Sequence, residues 1–397
     1  MRPSKHHLAD WRVSLLVLAS LLVTGLQEVQ AQVAASDWTQ VAASSSWTGR
    51  HSFGSAVYGD KMWIMGGRTS AGQTKDVWWT TNGSVWTRAT ASANWNARLY
   101  LEALSFGGKL WVMGGGQWGS TGYTNDVWWT TNGSAWTRAT ASAGWSKRSQ
   151  FGCVEHDGKM WVLGGDDATS YLNDVWYSAN GTNWTQATAS APWSKRSGLV
   201  GMAFDSKIWV VGGETASGRT NDVWWSTNGV SWFLATNKAP WQGSASMGCP
   251  HMQNLWVLVG GPSASSPSNQ VWYSSDGVNW SLAEGESPWS GRDNGAVLSY
   301  HGLMWLVGGS AGGSSSSAFL NDVWSASSLL IAMEISAIDI AWYSKVGVPY
   351  QPQWTPSMVA PTWTNLGGVV MGTGAKMYVT DVIRGLPPRY YRVVANP

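Results

Sequence analysis

The chain has 397 residues, and its 25 lysines and arginines against 23 aspartates and glutamates give a formal net charge of +2. Charged residues make up 12% of the chain, about half of the usual share. Because basic runs are also lacking, neither nucleic acid nor an acidic membrane surface is indicated as a partner.

The first predicted element is an export signal. Arg2, Lys5 and Arg12 precede an apolar stretch at 13–26 that is short for a membrane span, and small residues at 29–31 offer a cleavage site. We predict a signal peptide at 1–31 and a secreted, periplasmic or cell-surface protein without a membrane span after cleavage. An uncleaved anchor is the alternative.

A repeat of about 48 residues follows. Each of its six copies contains Trp-x-x-Arg, an apolar run that ends in Gly-Gly, a variable loop, Asp-Val-Trp and Asn-Gly-x-x-Trp, with small lapses. The glycine doublets begin at Gly66, Gly114, Gly164, Gly212, Gly260 and Gly308. This period, with four short β-like runs per copy, is typical of β-propeller blades. The predicted fold is all-β, a six-bladed propeller at 32–328.

The ends of the repeat array predict how the ring closes. The sixth copy reaches Trp324 and has no Asn-Gly-x-x-Trp after it, whereas Trp38 lies 48 residues before Trp86 without a repeat of its own. We therefore expect the segment around Trp38 to supply the fourth strand of the last blade, which removes two exposed sheet edges.

Most of the 32 tryptophans recur at four positions of the repeat. Three sets, which precede Gly-Gly, end Asp-Val-Trp and follow the hairpin, are interpreted as packing residues. The fourth set precedes strand A, where packing and binding remain equally open: Trp47, Trp95, Trp145, Trp193, Trp241 and Trp289.

Two cysteines, Cys153 and Cys249, lie eleven residues before their glycine doublets. This spacing places both at one position of strand A, in blades 3 and 5. Since a disulfide requires Cα atoms within about 7 Å, we predict that both are unpaired and buried.

After residue 328 the repeat pattern ends. Residues 329–397 contain five short alternating runs, at 338–342, 350–354, 369–371, 376–379 and 389–394. These predict a small β-sandwich.

The glycine doublets, the tryptophans that follow them and the six copies resemble kelch repeats, the repeats of galactose-oxidase-like central propellers, over 37–327. The lysines at Lys147 and Lys195 depart from the kelch pattern of a small residue or proline before the arginine. The tail, through Trp363–Gly367 and Arg389–Val394, is similar to fibronectin type III modules.

The resemblance also suggests a ligand site. In a four-stranded meander the D–A and B–C connections share one face, and the B–C loops here differ in every copy. Kelch adaptors use arginines near this face to hold carboxylates, which implies a ligand-binding role for Arg50, Arg98, Arg148, Arg196 and Arg292.

A structural alternative for these arginines is left open. Asp76, Asp126, Asp174, Asp222 and Asp322 begin strand C at the same face. The fifth copy, which has Ser244 in place of the arginine, also has Gln270 in place of the aspartate. This joint loss indicates that each arginine is paired with the aspartate of its own blade.

The function predicted from these patterns is an exported, monomeric binding module for a glycan or protein ligand, and the arginines suggest a ligand with a carboxylate. Neither cofactor nor metal is predicted. The alternative is a carbohydrate-active enzyme, a sialic-acid mutarotase or a sialidase-like hydrolase. Its candidate acids show no recognisable spacing: Glu102, Glu155, Asp166, Asp167, Glu214 and Asp293.

Overall fold

The computed structural model describes residues 38–117, 122–241, 247–260, 262–263, 266–267, 269–284, 287–311, 318–326, 337–356, 362–382 and 390–395. Their regular structure consists of β-strands, without a helix in these ranges that is long and apolar enough to cross a membrane. The described residues form two compact units, one within 33–329 and one within 330–397. The predicted signal peptide lies outside the described residues, and the domain limits drawn from the sequence stay predictions.

The first unit contains six four-stranded antiparallel sheets among its described residues. We call them sheets 1 to 6 in the order of the repeats, with strands A to D in each. The chain begins with β1 (Thr39–Ala42), and the first repeat supplies β2 (Gly54–Val57), β3 (Met62–Met65), β4 (Arg68–Thr69), β5 (Gly72–Gln73), β6 (Val77–Thr80) and β7 (Thr87–Thr90). Sheet 1 has the order β2-β3-β6-β7, and β4 pairs with β5 in its B–C loop.

Sheets 2, 3 and 4 follow with the same order of strands. Sheet 2 contains β8 (Glu102–Phe106), β9 (Lys109–Met113), β10 (Val127–Thr130) and β11 (Thr137–Thr140). Sheet 3 contains β12 (Gly152–His156), β13 (Lys159–Asp166), β14 (Tyr171–Ser178) and β15 (Thr185–Thr188). Sheet 4 contains β16 (Val200–Phe204), β17 (Lys207–Thr215), β18 (Gly218–Ser226) and β19 (Phe233–Thr236).

Sheets 5 and 6 complete the unit. Sheet 5 contains β20 (Met247–His251), β21 (Asn254–Val259), β24 (Gln270–Ser274) and β25 (Ser281–Glu284), with the short pair β22 (Pro262–Ser263) and β23 (Ser266–Pro267) in its B–C loop. Sheet 6 contains β26 (Ala296–Tyr300), β27 (Leu303–Ala311), β28 (Ala318–Ala326) and, as its fourth strand, β1. Thr39 pairs with Ser325. The closure that the position of Trp38 predicted is therefore confirmed.

The A strands lie next to one another in a closed cycle. Strand A of each sheet contacts strand A of the next, and β26 of sheet 6 contacts β2 of sheet 1. Within the described residues, five clusters of buried hydrophobic side chains each combine residues of two adjacent sheets. The core thus lies between sheets, which is the arrangement expected of repeated sheets in a β-propeller.

Tryptophans of strand B explain the hairpin glycines. Gly133 in the C–D hairpin of sheet 2 has a φ of 76°, and a Cβ atom there would lie 2.1 Å from Cζ3 of Trp63 in sheet 1. A Cβ atom would come equally close to a strand B tryptophan at Gly83, Gly181, Gly229 and Gly277. Only glycine tolerates both this φ and this contact, so the first set of tryptophans packs between sheets as predicted.

The set of tryptophans whose role the sequence left open is also structural. These six side chains are only 1–2% exposed. Each packs edge to face against the tryptophan at the start of strand D in its sheet, with ring centroids 4.8–6.0 Å apart. This geometry is the favoured one for aromatic pairs and stabilises the entry to strand A.

The end of strand B differs between sheets. As predicted for the first repeat, β3 ends at Met65 before its glycine doublet, and β9 and β21 also end before theirs. In sheet 5 Trp256 lies four residues before the doublet, whereas the other tryptophans of this set lie three residues before it. In contrast, β13, β17 and β27 continue through the doublet with a register shift at the glycines. The positive φ of these glycines permits a bulge that bends the strand without ending it.

The one-residue difference changes the comparison of the cysteines. Val154 pairs with Trp161 in sheet 3, whereas Cys249 pairs with the equivalent Trp256 in sheet 5. Cys249 therefore corresponds to Val154 rather than to Cys153, and successive side chains point to opposite faces of a strand. Accordingly Cys249 is buried, while Cys153 is half-buried, contrary to the prediction. Both are free thiols, as predicted.

The second unit consists of two small sheets in its described residues. Its strands are β29 (Ala337–Tyr343), β30 (Pro349–Thr355), β31 (Thr364–Asn365), β32 (Val370–Met371), β33 (Lys376–Val382) and β34 (Tyr390–Ala395). Strand β29 pairs with β33, and β30 pairs with β31, β32 and β34. All five predicted runs coincide with strands, whereas β31 was not predicted.

Candidate functional site at the entrance to the A strands

Every arginine of Trp-x-x-Arg that was predicted to bind ligand is paired with the aspartate of its own sheet. Each guanidinium makes two parallel hydrogen bonds to the carboxylate, with Nη1–Oδ1 distances of 2.6–2.7 Å and Nη2–Oδ2 distances of 2.8–3.0 Å. The pairs are Arg50–Asp76, Arg98–Asp126, Arg148–Asp174, Arg196–Asp222 and Arg292–Asp322.

Further donors of these arginines bond to backbone carbonyls. In every pair Nη1 donates to the carbonyl of the first glycine of the doublet, at 2.8–3.0 Å. Nε donates to the carbonyl two residues earlier, at 3.0–3.1 Å. The tryptophan of Asp-Val-Trp donates to Oδ2 of the aspartate at 2.7–2.8 Å. Each pair thus ties strands A, B and C of one sheet together.

Burial and charge agree with this geometry. The five arginine side chains are 0–1% exposed. Burial alone would raise the pKa of Asp76, Asp126 and Asp222, but the hydrogen bonds and the charge of the paired arginine outweigh it and lower the pKa of each carboxyl. The two parallel N–H groups that could hold a ligand carboxylate are bonded to the aspartate in each sheet. The arrangement is the structural alternative that the sequence left open.

In the fifth sheet a glutamine takes the place of the paired aspartate. Ser244 lies outside the described residues. Gln270 occupies the position of the aspartate, and its Oε1 accepts a hydrogen bond of 3.2 Å from Nε1 of Trp272. The link from strand C to its tryptophan is therefore kept, although the carboxylate is absent.

A ring of polar residues lies just beyond the arginines. The residue two positions after each paired arginine has a left-handed backbone, with φ between 52° and 59°: Ser52, Tyr100, Gln150, Gly198 and Asn294. We call these five residues the entrance ring. Four of them are not glycine, and a positive φ is uncommon for such residues. The repeated conformation turns the chain into strand A.

Backbone hydrogen bonds connect members of the entrance ring between sheets. The N–H of Ser52 donates to the carbonyl of Asn294 at 2.8 Å, and the N–H of Tyr100 donates to the carbonyl of Ser52 at 2.7 Å. The N–H of Gly198 donates to the carbonyl of Gln150, also at 2.8 Å. The backbone of the ring is thus held by the scaffold, while its side chains differ in every described repeat.

A second set of positions surrounds the ring. In five sheets the residue after the arginine forms an isolated two-way bridge with the residue after Gly-Gly, at the base of the B–C loop. A further isolated bridge joins Leu172 of sheet 3 to Arg196, which precedes strand A of sheet 4. The five pairs are His51–Arg68, Leu99–Gly116, Ser149–Asp166, Ser197–Glu214 and Asp293–Ser310. We call these ten residues the entrance pairs. Their backbone contact is constant, whereas their side chains range from apolar to either charge.

The most connected part of this region lies where sheets 6, 1 and 2 meet. Nδ1 of His51 lies 2.7 Å from Oγ of Ser52, and the imidazole stacks on Phe319 at 5.3 Å. Burial lowers the pKa of His51, against the opposing charge of Asp293. Burial also raises the pKa of Tyr100, whose hydroxyl interacts with Ser52. An imidazole, two hydroxyls and a carboxylate therefore interact within one small region, in which His51 and Ser52 are buried and Tyr100 and Asp293 are half-buried.

The acids considered for an enzyme are dispersed. Asp166, Glu214 and Asp293 belong to different entrance pairs, while Glu155 lies exposed on β12. Glu102 begins β8. The described ranges contain no group of three His, Cys, Asp or Glu side chains placed to hold a metal ion. Of the acids predicted for an enzyme, Asp166, Glu214 and Asp293 therefore lie in the entrance pairs, and Glu102 and Glu155 do not.

The entrance ring was not predicted from the sequence. Its signal was present, since the position two residues after each arginine changes from Ser to Tyr, Gln, Gly and Asn within an otherwise regular repeat. Polar residues of this kind also occur in ordinary turns, and their meeting at one entrance depends on the assembly of all sheets.

Comparison with known protein families agrees with this architecture. The Kelch motif matches residues 147–177, a segment that contains β12, β13 and all but the last residue of β14 as well as the Arg148–Asp174 pair. A comparison of the chain with curated proteins finds no match. The match and the repeated four-stranded sheets fit a kelch β-propeller, and kelch repeats generally mediate protein–protein interaction.

Proposed function

We propose that residues 32–328 form a six-bladed kelch propeller that acts as a binding module, with a protein as its ligand. Sheets 1 to 6 would be its blades, and β1 would close the ring. The ligand would bind at the face formed by the entrance ring, the entrance pairs and the B–C loops.

The contrast between backbone and side chains supports this proposal most strongly. The five entrance pairs share one backbone arrangement, but no two of them share both side chains. Six of the ten members are buried, and the accessible ones, Arg68, Asp166, Glu214 and Asp293, are all charged. A rigid frame that presents different charged side chains at equivalent points is suited to specific recognition, because little order has to be gained on binding.

We infer that the paired arginines are part of that frame and not of the binding surface. Nε, Nη1 and Nη2 of each guanidinium all donate within the scaffold, and the side chains are buried. A carboxylate-bearing ligand held by Arg50, Arg98, Arg148, Arg196 and Arg292 is therefore not carried into the proposal.

A protein ligand is favoured over a glycan at the entrance because the tryptophans there are buried. Sugar-binding sites commonly present an aromatic face to solvent, and the tryptophans nearest to the entrance are 1–2% exposed. Export through a signal peptide at 1–31, a monomeric state and a fibronectin type III-like tail at 329–397 complete the proposal, which rests for these points on the sequence.

A peptide-display selection tests the proposal. We would select peptides on the immobilised chain without its signal peptide and measure their Kd for the wild type, for Tyr100→Asn in the entrance ring and for Tyr58→Asn near the opposite turns. Asparagine tolerates the left-handed backbone of Tyr100. We expect at least a tenfold loss of affinity for Tyr100→Asn only.

Equal affinities in all three proteins would refute binding at the entrance. A glycan array run beside the selection gives the other outcome, since binding to glycans without selected peptides would refute a protein ligand.

A further inference from the structure

Strand D of sheet 4 has an aromatic residue where the other sheets have small hydroxyl residues. Phe233 begins β19 and pairs with Trp225 of strand C. By the same register, the equivalent residues of sheets 1, 2, 3, 5 and 6 are Thr87, Thr137, Thr185, Ser281 and Thr39. Nothing in the repeat itself therefore requires a phenyl ring in sheet 4.

This phenyl ring lies flat on its neighbour and is open to solvent. Its centroid is 4.7 Å from that of the Trp225 ring, with 26° between the two planes. Trp225 thus covers one face of the ring, while 50% of Phe233 is exposed. No other Phe, Tyr or Trp among the described residues of the first unit is exposed. The solvent-exposed aromatic face that the entrance lacks is therefore present on the outer edge of sheet 4.

Sheet 5 adds apolar side chains from the other side of the same seam. Trp225 and Trp272 belong to one cluster of hydrophobic side chains between sheets 4 and 5. Leu282 pairs with Trp272, and directly opposite residues of an antiparallel pair share one face of the sheet. The exposed side chain of Leu282 therefore lies on the face of sheet 5 that is turned towards sheet 4. We call Trp225, Phe233, Trp272 and Leu282 the rim cluster.

An ion pair lies beside the stacked rings. Nζ of Lys207 donates to Oδ2 of Asp205 and lies 5.5 Å from the centroid of the Trp225 ring. Lys207 is half-buried and Asp205 is exposed, so solvent reaches both groups. The ammonium group can donate hydrogen bonds and the carboxylate can accept them, while the two charges cancel. The rim cluster is thus suited to a ligand that is neutral and carries both donors and acceptors.

Sheet 3 provides a natural comparison. Nζ of Lys159 donates to Oδ2 of Asp157 at 3.1 Å and lies 5.6 Å from the ring of Tyr177. The same ion pair and the aromatic residue of strand C are therefore present, but Thr185 stands in place of Phe233. In sheets 1 and 2 the equivalent lysine lies only 3.9–4.1 Å from the ring of strand C and covers it. Within the described residues, sheet 4 alone combines the ion pair with an open aromatic ring.

The edge of sheet 4 favours a ring-shaped ligand over an added β-strand. Although β19 is the outer strand of its sheet, a register shift between Val223 and Trp224 interrupts its pairing with β18. Such bulges twist an edge and discourage further strand pairing. A pyranose has a face of C–H groups that can stack on an aromatic ring, and hydroxyl groups around it that donate and accept hydrogen bonds.

We propose that the rim cluster binds a neutral pyranose, whose C–H face stacks on Phe233 and whose hydroxyl groups bond to Lys207 and Asp205. The site lies on the outer edge of sheets 4 and 5, whereas the proposed protein ligand binds at the entrance. The inference therefore adds a second binding site and does not rest on the proposed function.

The test is saturation-transfer difference NMR on the chain without its signal peptide. The probes are methyl β-D-glucopyranoside and methyl β-D-galactopyranoside, and the control is D-sorbitol, which carries hydroxyl groups but has no ring face. We expect transfer to the ring C–H protons of at least one glycoside, and a Kd about tenfold or more below that of D-sorbitol, because stacking needs a flat apolar face.

Two matched variants introduce the residues that sheet 3 has at the same positions. Phe233→Thr removes the exposed ring and should weaken glycoside binding about tenfold or more. Leu234→Gln changes the next residue, which is exposed on the opposite face of β19, and should leave binding unchanged. A third variant, Lys207→Met, keeps most of the side-chain length without the charge and should weaken binding about fivefold.

Several results would overturn the inference. They are the absence of glycoside binding to the wild type, equal binding of D-sorbitol, unchanged binding in Phe233→Thr or in Lys207→Met, and equal losses in Phe233→Thr and Leu234→Gln.

The peptides from the display selection test the other occupant. Peptides that lose affinity in Phe233→Thr and not in Tyr100→Asn would show that the rim cluster binds protein, which overturns the inference as well. If glycosides depend on Phe233 while no peptide depends on Tyr100, the rim cluster stands as a sugar site and the proposed function falls.

Discussion

Sheets 4 and 5 are neighbours built from the same repeat, yet they are held together differently. In sheet 4, Arg196 and Asp222 connect strands A, B and C, and Trp224 donates to the same carboxylate. In sheet 5, Gln270 keeps the bond to its tryptophan without a carboxylate. The four-stranded sheet forms in both cases.

The difference teaches that the arginine and the aspartate act as one unit. A buried guanidinium without its carboxylate, or the reverse, would leave a charge unpaired inside the protein, which costs more than the loss of both. The replacement of both groups in the fifth repeat by Ser244 and Gln270 is consistent with this rule.

The largest effect is expected when the pair is broken in sheet 4. Asp222→Asn leaves Arg196 buried and should lower the free energy of unfolding by about 3–5 kcal/mol. Gln270→Asn, the matched change in sheet 5, should cost about 1 kcal/mol or less, because only a neutral hydrogen bond is altered. Urea unfolding of both variants measures the difference.

A double-mutant cycle on Arg196→Ala and Asp222→Asn sharpens this comparison. Strong coupling in stability is expected. If Asp222→Asn is no more destabilising than Gln270→Asn, the pair does not hold the sheet.

A smaller, pH-dependent effect should distinguish sheet 2 from all others. Glu102 has its pKa raised from 4.5 to about 8, so in the folded protein it stays protonated at pH values where the unfolded chain has lost the proton. The unfolded state is then favoured as pH rises from about 4.5 to 8. Because Glu102 is half-buried, solvent weakens this penalty, and Glu102→Gln should stabilise the protein by about 1–2 kcal/mol at pH 8.

The same variant should have no advantage at pH 4, where the carboxyl group is protonated in both states. Thermal unfolding of Glu102→Gln and Glu155→Gln between pH 4 and 9 checks the sign. A gain in Tm that is constant across this range would contradict the raised pKa.

The smallest effect concerns the cysteines of sheets 3 and 5. Burial raises the pKa of Cys249 to about 12 and raises that of Cys153 as well, so both thiols should react slowly in the folded protein. Cys153 is half-buried and should react first. In urea both should react, with or without a reducing agent.

Mass spectrometry after partial labelling assigns the order. Faster labelling of Cys249 would contradict the register that places it between the sheets. A second thiol that appears only after reduction would contradict the free cysteines.

Much of the scaffold could be predicted from the sequence, because its determinants recur at a constant spacing. The hairpin glycines, the tryptophans and the closure by the segment around Trp38 each follow from one repeat compared with the next. The joint loss of arginine and aspartate in the fifth repeat likewise indicated the ion pairs that the structure contains. Where the repeat shifts by one residue, as between Trp256 and its glycine doublet, the same reasoning misplaced Cys249.

The candidate site depended on tertiary structure. The sequence by itself determined the repeated β-strands, the order of elements and the residues that hold each sheet, since these interactions lie within one repeat or between consecutive repeats. Only the assembled sheets decided that the predicted arginines are buried and that Ser52 meets Asn294 and Tyr100. Such contacts join residues up to 242 positions apart, as between Ser52 and Asn294. A repeat pattern holds no information about which side chains meet when a ring closes.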